Sequence, residues 1–216
     1  MQPNLSQSLE SELRQQVVDG RLPPGSRINE VHLAQALEVS RTPLREALTR
    51  LVGEQFLEAR PRRGFYVREL RADEFDQLYQ IRANLDPWAL ELAGVPPAHA
   101  IEELRVLNHA IRSAAGNTLQ VIELDDRWHL ALLDACRNKI LLDLIEQMMW
   151  RTRRYEYAYL SSGKNVAVAG DQHEQILDCL ADGDLTGAID ALRTNMTTAI
   201  EPLLEWIDRL PRGPNE

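Results

Sequence analysis

The chain has 216 residues, 44% of them hydrophobic and 26% charged, a globular composition with room for one large or two small cores. No apolar run approaches the ~20 residues that span a bilayer, and the opening MQPNLSQSLESEL lacks the basic-then-apolar order of a secretory signal. Cys136 and Cys179 have neither metal-type nor disulfide-framework spacing, so a reduced, cytoplasmic protein with no membrane partner is expected.

In chain order, a first helix is predicted over about 6–19, with Leu9, Leu13 and Val17 on one face and Gly20 ending it. LPPGSRI follows as a turn running into a short extended piece. Asn29 is placed to cap a second helix over about 30–37, and Ser40 a third over about 41–54. Leu44, Ala47, Leu48 and Leu51 form the buried stripe of that third helix, and Pro43 sits in its first turn. FLEAR and GFYVREL read as two short strands, joined by a tight turn with Gly64 at its special position. Helix, helix, short turn, helix, hairpin is the order of a winged helix-turn-helix.

Past residue 70 no strand-like segment remains. Six helices are predicted, over about 72–94, 97–115, 118–136, 138–162, 165–182 and 184–209, with connections short enough for an antiparallel bundle. The fold class is therefore mainly α, with domains 1–70 and 71–216.

The net charge of −9 argues against nucleic acid until the chain is split at that boundary. Residues 1–70 carry 10 Arg against nine Asp and Glu, or +1; the remainder carries 14 basic and 24 acidic residues, or −10. Seven arginines (41, 45, 50, 60, 62, 63 and 68) crowd into 41–68 against three glutamates. By charge alone this suits a solvated helix face as well as a footprint for a polyanion. Ser40, Arg41, Thr42 and Arg45, however, gather at the start of the third helix, opposite the leucine stripe. A recognition helix reads base edges from that end, where arginine forks onto guanine and hydroxyls fix phosphates. Arg60–Gly64 forms a wing tip that suits the DNA backbone or minor groove, or is an ordinary charged hairpin.

Two patterns carry a resemblance. The run GRLPPGSRINEVHLAQALEVSRTPLREALTRL (Gly20–Leu51), followed by RPRRGFYV, resembles the N-terminal domain of the GntR family of bacterial regulators across residues 9–68. This implies a homodimer on a palindromic operator in double-stranded DNA, with Ser40, Arg41, Thr42, Arg45, Arg63 and Gly64 at the DNA-contacting positions. Val31, with His32 beside it, stands where the fatty-acid-responsive member has a DNA-contacting arginine, so that contact is not carried over.

In the second half, Asp125 and His129 are four apart, on one helix face. That spacing alone suits a surface ion pair as well as half a metal site. LYQIRANLDP (78–87), DDRWHLALLDACRN (125–138), HEQILDCLADGD (173–184) and ALRTNM (191–196) together resemble the FCD effector domain of the FadR subfamily, over residues 78–195, in its six-helix, VanR-like branch. The resemblance implies a divalent metal (Zn, Ni or Mn) on Asp125, His129 and His173, with Asn195 in place of the family's third histidine. An asparagine carbonyl oxygen is a weaker and less selective donor than imidazole. It also implies a small organic acid as effector, with Arg82 at a position that often points into the pocket. Arg127, Arg151 and Arg154 are further candidates for carboxylate binding, or surface salt bridges; Trp128, Trp150, Tyr155 and Tyr159 are pocket walls or core. The expected function is a ligand-responsive DNA-binding regulator, a repressor in sign. The alternative is a metal-dependent enzyme on the bundle, for which no separate general base or nucleophile constellation is visible.

Overall fold

The structure is a computed structural model that describes residues 5–161, 167–198 and 200–209. It divides into two compact units, one of the first seventy residues and one of the helices from Arg71 onward.

In the first unit, α1 (Leu5–Val18), α2 (Glu30–Ala36) and α3 (Arg41–Gly53) precede an antiparallel hairpin of β1 (Leu57–Arg60) and β2 (Gly64–Val67), with Leu57 opposite Val67 and Arg60 opposite Gly64. The extended piece after the LPPGSRI turn lies along β2: Ile28 N–H donates to Phe65 O and Val67 N–H to Ser26 O. Leu13, Leu44, Leu48 and Leu51 are wholly buried, so the predicted stripes of α1 and α3 face one core, closed by Phe56, Phe65 and Val67 of the hairpin. Asn29 caps α2 as its sequence position predicts, accepting from the N–H groups of Val31 and His32. Ser40 occupies the cap position of α3 with extended backbone, but its side chain makes no capping bond. A capping oxygen bonds the N–H of the second or third helical residue, and the third is Pro43, which has none. The hydroxyl expected to cap is instead exposed.

The second unit is all helix: α4 (Ala72–Ala93), α5 (Ala98–Ser113), α6 (Thr118–Leu132), α7 (Lys139–Ser161), α8 (Ala167–Ala181), α9 (Leu185–Thr198) and α10 (Ile200–Asp208). The helix predicted over 184–209 is described as α9 and α10 on either side of residue 199. The end of the helix predicted to 162 and the start of the helix predicted from 165 lie outside the described residues. Helix α6 stops at Leu132, four residues short of its predicted end. Leu133 and Cys136 are both buried, and Cys136 N–H turns back to Leu133 O, which an uninterrupted helix does not allow. The core joins Leu90, Leu104, Ile111, Trp128, Ile145, Leu177 and Leu192, at least one from each of α4 to α9. Both cysteines are free, and no described helix is long and apolar enough to cross a membrane.

Candidate functional site

Each unit carries a candidate site. In the first, Ser40, Arg41, Thr42 and Arg45 are all exposed at the N-terminal end of α3, which has no acidic residue in its first turn. The positive end of the helix dipole and these donors therefore face solvent together. Arg45 Nε lies 3.5 Å from Glu30 Oε2. The other oxygen of Glu30 is 3.9 Å from where a Cβ on Gly64 would stand, so this carboxylate sits between α3 and the wing and brings Arg45 and Gly64 to one place.

The wing turn has Pro61, Arg62 and Arg63 exposed at its tip, closed by Arg63 N–H on Arg60 O at 3.0 Å. Gly64 has φ 92°, as its position predicts, and Arg62 has φ 62°. Pro61 supplies the fixed φ that starts such a turn; its next position favours glycine or asparagine, and Arg62 holds that conformation at a cost of about 1–2 kcal/mol. Arg60 is turned away from the tip, over the Tyr66 ring at 4.2 Å and onto Glu58 at 2.6 Å.

In the second unit, α4, α6, α7, α8, α9 and α10 surround a cavity of about 230 Å³, and its polar lining includes Tyr79, Arg82, Asp125, His129, Glu156 and Asn195. Asp125 holds the centre: Oδ2 is 3.8 Å from His129 Nε2 and Oδ1 is 3.5 Å from His173 Nε2, with all three ligand atoms within 4.8 Å of one another. His173 is fully buried and stacked on Trp128 at 3.8 Å. Its Nδ1 lies 3.3 Å from Asn108 Oδ1. The Asn108 amide is oriented by donating to Gly170 O and Glu174 Oε2, which leaves Oδ1 as acceptor and puts the imidazole proton on Nδ1. His173 Nε2 therefore presents a lone pair into the site, and it has no hydrogen-bond partner; neither has Asn195 Oδ1, whose amide nitrogen is held by Gln172.

Electrostatics agree with the donor set. Burial, then the charges of Glu156 and Asp126, push the Asp125 carboxyl up to about 8. Burial drops His173 to about 3, and burial with His173 nearby holds His129 well below its ordinary value. Two neutral imidazoles, a carboxylate and orphaned acceptor atoms form a set that fits a divalent cation.

Arg82 lines the same cavity, with Nη2 3.3 Å from Asp86, Nη1 3.2 Å from Thr152 and a buried Nε that has no partner. The other three predicted arginines do not reach the cavity. Arg127 is on the exposed face of α6. Arg151 and Arg154 are both taken by Glu74, at 2.7 and 2.8 Å, in a cluster that includes Tyr155. Of the four aromatic candidates only Tyr159 lines the cavity; Trp128 and Tyr155 are core, and Trp150 lies under Arg153. Sequence reading missed Asn108 and Glu156. Asn108 had a signal, since it interrupts the apolar stripe Ile101, Leu104, Ile111 of α5 with a buried amide; Glu156 had none.

Comparison with known proteins agrees with both units. Residues 5–67 match the model of bacterial regulatory proteins of the gntR family, and residues 77–198 match the FCD domain. The Nta operon transcriptional regulator of Aminobacter aminovorans is 36% identical over 163 residues, covering 74% of this chain and 75% of that protein. The solved structure of Escherichia coli McbR/YncC superposes with TM-score 0.81 at 29% identity, covering 94% of this chain and 98% of that one. A regulator from Rhodococcus sp. RHA1, at 24% identity, shares the fold with TM-score 0.78 over 93% and 97% of the two chains. These families and relatives are transcriptional regulators rather than enzymes, which removes the bundle-enzyme alternative. An exposed basic helix start beside a wing, and a polar cavity in a helical bundle, are thus the two parts of a transcriptional regulator, and the chain belongs to the GntR family, with an FCD effector domain.

Proposed function

We propose that the chain is a homodimeric repressor that binds a palindromic operator in double-stranded DNA and is controlled by a small organic acid, held with a divalent cation in the bundle. Residues 1–70 read the DNA; residues 71–216 bind the effector and dimerise. Ser40, Arg41, Thr42 and Arg45 enter the major groove, and Arg63 and Gly64 press the wing to the backbone. Asp125, His129 and His173 hold the cation, Asn195 Oδ1 adds a weaker donor, and Arg82 receives the carboxylate. The observation that carries this reading is the set of buried atoms without partners in one unit: Arg82 Nε, His173 Nε2 and Asn195 Oδ1. Leaving such groups unpaired costs ~1–3 kcal/mol each, and an anionic ligand with a cation satisfies donor and acceptors together. The sign of regulation follows relatives whose names carry it, such as the repressor GlaR of Escherichia coli.

The dimer has its own support. Ile81, Trp88 and Leu92 leave an apolar stripe on α4 about half exposed. Ile140 and Leu144 are likewise exposed, on the first turns of α7. A patch of this kind marks an association surface. The test is fluorescence anisotropy on the DNA upstream of the chain's own gene, with light scattering for the oligomer. Sequence-specific binding by a dimer, altered by metal and organic acids, is expected; no specific binding at moderate salt, with and without metal, overturns the reading.

A further inference from the structure

The polar end of the cavity offers an acceptor as well as a donor. Glu156 lines it from α7, with its side chain only 20% exposed. Its Oε1 accepts from Tyr79 Oη at 2.6 Å and lies 3.8 Å from Arg82 Nη1. No hydrogen bond reaches its Oε2 among the described residues. Arg82 does not offset this carboxylate alone, because its guanidinium is shared with wholly buried Asp86. Two residues lining the cavity thus each carry a polar atom without a protein partner, the buried Arg82 Nε and Glu156 Oε2. A plain carboxylate satisfies the first and sets its own charge against the second. A carboxylate with a hydrogen-bond donor on the adjacent carbon satisfies both.

Most of the remaining lining is apolar, with Tyr159, Gln172 and Thr198 its polar members. Val121 and Ile122 are one turn before Asp125 on α6, and Leu160 is one turn after Glu156 on α7. Arg153 pairs with Asp126, so α6 and α7 are packed together here, and Pro202 and Leu203 of α10 line the same cavity as these apolar turns. The volume, about 230 Å³, equals that of about eight water molecules at ~30 Å³ each. It suits one small molecule with a short tail.

Resting on the acid-responsive reading above, we propose that the effector is a small 2-hydroxy or 2-amino carboxylic acid with an apolar side chain, and that Glu156 selects it by accepting the hydroxyl or ammonium proton. The Arg82 guanidinium takes the carboxylate, and the side chain lies among Val121, Ile122, Leu160 and Leu203.

Isothermal titration calorimetry with one carbon skeleton tests this. 4-Methylpentanoate, 2-hydroxy-4-methylpentanoate and leucine differ only at C2; glycolate and glycine lack the tail. Each is titrated into the full chain, zinc-loaded and chelator-treated, and into Glu156→Gln, whose fold is checked by thermal unfolding. A charge-assisted hydrogen bond predicts that the hydroxy or the amino acid binds at least ~10-fold more tightly than 4-methylpentanoate. It also binds more tightly than its tail-less counterpart, and Glu156→Gln brings the C2 preference to within ~3-fold. Which of the two binds distinguishes hydroxyl from ammonium. Equal binding of the three C2 variants overturns the proposal and leaves the acid-responsive reading standing, and this wild-type comparison holds even if the variant does not fold. A preference unchanged in Glu156→Gln also overturns it, by assigning the selection to chelation of the metal. Failure of every acid, 4-methylpentanoate included, overturns the acid-responsive reading and this proposal with it.

Discussion

The two units place their polar chemistry on opposite sides of their surfaces. The N-terminal unit keeps an apolar core of Leu13, Leu44, Leu48 and Leu51 and exposes Ser40, Arg41, Thr42 and Arg45. The bundle buries Arg82, Asp86, Asp126, His129, His173 and Asn195 among its apolar side chains. An outward-facing site costs little, because water solvates its charges until a partner displaces it. An inward-facing site loses solvation on folding and recovers it only through partners. The stability of the bundle should therefore depend on what it binds, and that of the DNA-reading head should not.

The largest expected effect comes from Trp128→Ala. The indole is wholly buried and stacked on His173, and its loss is expected to cost about 3–5 kcal/mol in urea unfolding and to weaken metal binding; a small cost would mean that the packing of the inward site is not what holds it. Next, Arg41→Ala and Arg45→Ala should each lose about 1–3 kcal/mol of operator affinity, with relaxed base preference, while metal titrations stay unchanged. Any change in metal affinity would break the separation of the two units. Asn108→Ala removes the acceptor that orients His173 and should weaken metal binding by about 10–100-fold without altering operator affinity of the metal-saturated protein.

The smallest effect is a proton count. Asp125, faced by His129 and Asp126 from α6, Arg82 from α4, Glu156 from α7 and His173 from α8, is raised to about 8. Its folded value lies above its unfolded one, so its contribution to the stability of the metal-free protein is present below about pH 4 and is lost as pH rises through about 8. The two histidines act in the opposite sense. Their folded values are lowered, so their contribution is present above about pH 6.5 and is lost as pH falls, through about 3 for His173. Metal-free stability should then peak near pH 6.5. At pH 7 the imidazoles are already neutral and Asp125 holds its proton, so a cation should release about one proton. Calorimetry in buffers of different ionisation enthalpy reads this number directly; a release of two or three would mean that the histidines are protonated.

The elements of the N-terminal unit were legible because the signals are local. The Asn29 cap, the stripes of α1 and α3 and the wing glycine each depend on residues within a few positions. Ser40 departs from its expected capping bond for an equally local reason, the missing N–H of Pro43. In the bundle, the pairing of Asp125 with His129 was legible as one helical turn. The choice of arginine was not. Arg82 differs from Arg151 and Arg154 only in which helix packs opposite: the latter two meet Glu74, 77 and 80 residues away, and are taken up before they reach the cavity.

The sequence by itself determined the order of elements, the basic helix start and the placement of Asp125 and His129 on one helix face, because periodicity, caps and i, i+4 spacing are short-range; its longer motifs carried the resemblance to the family. Only the tertiary structure decided that Asn108 sets the proton on His173, that Asn195 turns an unpartnered oxygen inward and that Glu156 faces Arg82 across one cavity. These pairings depend on the register of helices distant in sequence, which is set by how whole faces pack and not by the residues that end up touching.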